Sequence, residues 1–239
     1  MKQLILSLII LISTINIAIS QTYTNGSFYI DSSIECQAIT PHSGIITNNL
    51  IAETTHMTGN TVLLFTSTNL AKFYLSGGIY IIADANSQFS IDIFEQEINN
   101  LNASPRKATF GNYNLALTII SGRVAIESVT NENSAISLTA QESAFQLNGG
   151  DFLFDVMTNT VVCYSTGNYK RILTTHSTPN LNVKCAELLM EHNVKLITTE
   201  TFQPTSNQLD VYNILIHKLN DKNVEFFVID GKLIGILTK

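Results

Sequence analysis

Gln88-Phe89-Ser90-Ile91-Asp92-Ile93-Phe94 alternates polar with apolar residues. That two-residue period is what a half-buried β-strand requires, because successive side chains leave opposite faces of a sheet. Similar short runs stand on both sides of it. Upstream are Ser27–Ile30, Thr61–Phe65, Ala71–Leu75 and Ile79–Ala83. Downstream are Asn114–Ile120, Arg123–Glu127, Ala135–Thr139, Ala144–Leu147, Phe152–Val156, Thr160–Tyr164 and Tyr169–Leu173. Turn signals separate them, among them Thr66–Asn69, Gly77-Gly78 and Ser121-Gly122. A turn about every 8–12 residues fits a β-sandwich, barrel or solenoid. No strict repeat is visible, which disfavours a long regular β-helix. Between two of the runs, Glu95–Arg106 reads as a protruding loop, with a short helix over Phe94–Leu101.

Composition agrees with a mainly β chain. Ile, Val, Thr, Ser and Asn are frequent, only 13% of residues are charged, and there is no Trp. β-branched residues with polar turns suit strands better than helices. The formal charge of −6 offers no clustered basic surface, which excludes nucleic acid as the expected partner.

The amino terminus predicts export. Met1-Lys2 precedes an apolar run from Leu4 to Ile19, and Ala18-Ile19-Ser20 places small residues before Gln21. That is the pattern of a secretory signal peptide over residues 1–20, with an apolar core shorter than a spanning helix prefers. Cleavage after Ser20 leaves about 219 residues, no stable transmembrane segment, and a periplasmic or secreted protein. Loss of Lys2 takes the charge from −6 to −7. Residues 21–59 then form a β segment leading into the body. Cys36, Cys163 and Cys185 show no CxxC or metal spacing; they read as buried small residues or as one disulfide with one thiol left over.

The tail from residue 180 changes character. Leu181–His192 has weak helical spacing, and Leu209, Val211, Tyr212, Leu215, Ile216 and Leu219 make a helical stripe behind a Thr205-Ser206-Asn207 cap. Val224–Ile229 and Leu233–Leu237 flank Asp230-Gly231, a hairpin signal. Residues 180–239 are thus expected to be a small α+β appendix.

The central runs resemble the FecR-type extracytoplasmic domain over about residues 60–173, roughly half of the mature chain. Ser87-Gln88-Phe89-Ser90-Ile91-Asp92-Ile93-Phe94-Glu95-Gln96-Glu97 is similar to the family's "S.fsI..F.Qe" run. Leu115–Ile126, with its central Gly122, is similar to "l.l..G.v...v". Thr139–Val156 is similar to "t..A.a.rGT.F.v", and Thr160–Tyr169 to "t.v.v..G.v.v". The resemblance implies a FecR-like β-sandwich or short β-solenoid. Its motif residues here are Ser87, Phe89, Ile91, Phe94, Gly122, Gly149, Gly150, Phe152 and Gly167, all read as structural. Two positions depart: the family's Gly-Thr is Gly149-Gly150, and the preceding arginine is Asn148. Family members relay a signal to a cytoplasmic sigma factor. Only Met1-Lys2-Gln3 precede the apolar run here, so that relay is not expected.

No catalytic, cofactor-binding or metal residue is singled out. The glycines lack the GxxxxGK[ST] order of a phosphate loop, and GxSxG is missing. His42, His56, His176, His192 and His217 are scattered without ligand spacing, and Asp92, Glu95 and Glu97 lack the DxDxDG order of a Ca²⁺ loop. The expectation is a non-enzymatic, cofactor-free FecR-like module that binds an envelope protein of unknown identity. A carbohydrate- or surface-binding adhesin and a hydrolase are the alternatives.

Overall fold

The computed structural model describes residues 23–32, 34–40, 44–59, 62–99, 105–129, 134–141, 143–157, 160–165, 169–173, 194–198 and 223–238. Every regular element among them is a strand. The first nine are β1 (Tyr23–Asn25), β2 (Ser27–Ile30), β3 (Ile34–Thr40), β4 (Gly44–Leu50), β5 (Thr54–Met57), β6 (Val62–Thr66), β7 (Ala71–Leu75), β8 (Ile79–Ala83) and β9 (Gln88–Ile98). Then come β10 (Arg106–Lys107), β11 (Phe110–Ser128), β12 (Ala135–Ala140), β13 (Ser143–Leu147), β14 (Gly150–Met157) and β15 (Thr160–Ser165). The last four are β16 (Tyr169–Leu173), β17 (Val194–Thr198), β18 (Asn223–Ile229) and β19 (Lys232–Thr238).

Sixteen strands form one curled, mostly antiparallel sheet. The curl is made by β11, which runs for 19 residues and belongs to both leaves. Its first half pairs with β9 and, in parallel, with β12; its second half pairs with β8 and β14. One leaf therefore runs β4-β3-β6-β9-β11-β12-β13-β16, and the other β5-β2-β7-β8-β11-β14-β15-β17. The inward side chains of the two leaves share a core. Phe65 stacks on Phe89 at 5.0 Å, and Phe73 from the other leaf meets both edge-on at 4.9 and 5.1 Å. Edge-on aromatic contact adds about 0.5–1.5 kcal/mol per pair beyond the area it buries.

Ser121-Gly122 is not the turn that the sequence predicts. Ser121 still pairs with Gln88, and Gly122 already pairs with Val156. Pairing never breaks; the chain bends from one leaf into the other at Gly122, whose φ is +79°.

The helix expected over Phe94–Leu101 is also corrected: β9 continues to Ile98. Bulges sustain that length. Asp92 is an extra residue in β9, since Ile91 pairs with Leu117 and Ile93 with Ala116. A bulge reverses which residues face the core. Phe89, Ile91 and Phe94 are therefore buried, while Ile93 is 46% exposed.

The α+β appendix is not supported. β17 joins the second leaf beside β15, and β18 and β19 make a hairpin turned by Asp230 and Gly231 at φ 50° and 72°. With β10 the hairpin forms a three-stranded sheet that packs on the outside of the second leaf. Gly235 sits so close that a Cβ there would be 3.2 Å from Tyr29 Cβ. The expected helices over 181–192 and 209–219 lie outside the described residues, as do the signal peptide and Cys185.

Candidate functional site

The register of the second leaf places one row of side chains across six strands. Thr55 lies opposite Tyr29, Tyr29 opposite Tyr74, Tyr74 opposite Tyr80, Tyr80 opposite Glu127, and Glu127 opposite Asp151. The three tyrosines make edge-on contacts at 6.1 and 5.5 Å. The C-terminal hairpin covers one end of this row. Gly235 N–H donates to Thr55 Oγ1 at 2.7 Å, and Tyr29 and Tyr74 are buried with Val224, Phe226, Val228 and Leu233.

The cover stops at Tyr80, where a cleft of about 300 Å³ opens. Its walls include Gly77, Gly78, Tyr80 and Phe110 from the body and Val224, Glu225, Phe226 and Thr238 from the hairpin. Lys107, on β10, closes one side and is paired through Nζ with Glu225 at 2.5 Å. Its side chain is 60% exposed, and exposed pairs of this kind contribute little, so both charges can exchange partners at small cost. Burial, then the Glu127 carboxylate, raises the Tyr80 pKa above the phenol value, so its hydroxyl stays a neutral donor and acceptor.

Burial and then Asp151 hold the Glu127 carboxyl above the usual carboxylate range. A raised carboxylate pKa adds stability below the unfolded value that is lost as pH rises through the folded one. Glu127→Gln should thus raise the melting temperature at pH 8 and leave it nearly unchanged at pH 3, read by circular dichroism. A loss at pH 8 would contradict this assignment.

The motif residues fall into two groups. Ser87 and Gly122 meet at the bend: Ser87 Oγ accepts Arg123 N–H and donates to Arg123 C=O, both at 2.9 Å. Phe89, Ile91, Phe94 and Phe152 are core residues. Gly149 and Gly150 take φ 89° and 123° at the start of β14. Gly167 lies outside the described residues. None of the eight described ones lines the cleft.

The acidic trio is dispersed. Asp92 accepts hydroxyls from Ser90 and Thr118, each at 2.7 Å, which ties down the bulge. Glu95 is exposed, and buried Glu97 accepts the Asn112 N–H at 3.0 Å. His56 is hydrogen-bonded to Thr54 Oγ1 at 2.8 Å beneath Phe28. Burial lifts the Cys36 thiol to about 12, which leaves it an inert core residue.

The sequence reading missed the tyrosine row and the cleft. Tyr29, Tyr74 and Tyr80 are far apart or on successive strands, and only register aligns them. No family model matches the chain, and no curated protein or solved structure matches it.

Proposed function

We propose that the chain is an extracytoplasmic, non-enzymatic interaction module whose cleft holds an envelope protein. One observation carries this reading: a rigid β scaffold ends its tyrosine row in an open cleft with aromatic walls and two exchangeable charges of opposite sign. Tyrosine and phenylalanine give rigid contact area, and charges at the rim give orientation. Export rests on the leader-like residues 1–20. The FecR-like character of the body belongs to the same proposal. It rests on the resemblance of the quoted runs.

The test is site-specific photo-crosslinking in envelope fractions. A photoreactive residue at Thr238, in the cleft, should yield a defined adduct. One at Glu35, exposed on the outer face of the first leaf, should not. Equal adducts from both positions would refute the cleft as the recognition surface. Steady turnover of a glycan, peptide or ester, abolished by one substitution, would refute the non-enzymatic role.

A further inference from the structure

The cleft has a second property, which lies in the backbone. On one edge, β18 pairs with β19 along its whole length, from Asn223–Thr238 to Ile229–Lys232. On the other edge β10 pairs only with Phe227 and Val228, and Ala108 N–H adds one bond to Phe226 C=O at 2.7 Å. The chain then departs into β11. Among the described residues, none pairs with Asn223–Glu225 on that edge. In an antiparallel strand, alternate residues direct N–H and C=O to the same side. Phe226 C=O faces β10, so Val224 presents its N–H and C=O to the same edge, where no described residue pairs with it. Val224 and Glu225 also line the cleft. An edge that no described residue pairs, beside a pocket, is the arrangement that captures an extended chain by strand addition.

We propose that the cleft binds an extended segment of a partner polypeptide, which adds to β18 in line with β10 and antiparallel to β18. This rests on the reading of the cleft as a recognition surface. The register defines the segment. Its residue opposite Val224 points the way Val224 does, toward the body, into the space between Tyr80 and Phe110. A β-branched or aromatic residue fits there. Its preceding residue lies opposite Glu225, whose carboxylate favours Lys or Arg. The recognised element is therefore a basic residue that opens the paired run, followed by a β-branched or aromatic one, because Ala108 already occupies the position opposite Phe226.

A random peptide library displayed on phage and selected against the full chain is the probe. Enriched peptides should carry that pair. Each synthetic peptide should slow hydrogen exchange of the Val224 amide by about tenfold or more. Glu225→Lys should weaken binding by about tenfold and turn the preference from basic to acidic. Tyr80→Ala should weaken it without altering the charge preference. Peptides whose binding requires Tyr80 but leaves Val224 exchange unchanged would overturn strand addition while sparing the cleft. Failure to enrich any peptide would overturn the inference as well, and the Thr238 crosslink would then judge the cleft reading separately.

Discussion

Gly122→Ala is expected to lower the melting temperature by roughly 4–24 °C, the size of a major core lesion. The added methyl group has no room. A Cβ at this position would lie 2.6 Å from Ser87 Cα, 2.8 Å from Ser87 Cβ and 2.4 Å from Ser87 Oγ. The first of these is backbone and cannot rotate away. The residue also sits at φ +79°, a region that costs a non-glycine residue about 1–3 kcal/mol. Crowding in a packed interior adds about 1–3 kcal/mol. Together these give about 2–6 kcal/mol. In a chain of this length each kcal/mol shifts the melting temperature by about 2–4 °C. Any relief must move Ser87, whose hydroxyl makes two bonds to the Arg123 backbone. Gly231→Ala is the control. It has φ +72° but nothing within 4 Å of the added Cβ, so it carries the conformational cost alone. A thermal melt in which the two variants fall equally would show that crowding at the bend has been misjudged.

The contrast between those glycines marks the limit of what the chain reveals before folding. Both look alike in sequence: a small residue between apolar runs. Asp230-Gly231 is a hairpin turn because the strands on either side pair with each other over seven residues. Gly122 is a bend because its flanking runs pair with different strands in different leaves. Periodicity and turn chemistry are local, so the bounds of β7 and β8 were legible to the residue. Partner choice is not local. The tyrosine row needs β2, β7 and β8 in exact register, and the cleft needs a hairpin from the far carboxyl end to cover part of that row. The amphipathic alternation of β18 and β19 says that one face is buried but not against what. Reading that hairpin as part of a separate appendix was the natural result. The motif residues illustrate the same point. Apolar strand positions and tight glycines were recognisable because they build the fold, whereas Lys107, Phe110 and Glu225 carry no pattern until folding gathers them.

The second large effect follows from the bulge in β9. Phe94→Ala should cost about 3–5 kcal/mol, the usual range for emptying a buried phenylalanine site. Ile93→Ala should change stability by no more than about 0.5 kcal/mol, as expected for an exposed position away from special features. Strict alternation from Phe89 and Ile91 predicts the opposite order, because it would carry Ile93 into the core and turn Phe94 outward. The structure reverses the order through one residue. Asp92 has no backbone pairing partner in β11, and its carboxylate is held by the hydroxyls of Ser90 and of Thr118 on β11, on the outer face. Beyond it, Phe94 is 2% exposed and packs where Gly26 leaves space; a Cβ at Gly26 would lie 2.1 Å from the Phe94 ring. Gly26 N–H in turn donates to Phe94 C=O at 2.7 Å, and Thr58 Oγ1 donates to the same carbonyl at 3.0 Å. The phenylalanine is thus fixed by backbone bonds as well as by packing, and its removal leaves a cavity that cannot collapse. Urea unfolding of both variants measures the order directly. A larger loss for Ile93→Ala would mean that β9 runs without its bulge, and that the polar residues beyond it, Gln96 and Glu97, face the opposite way.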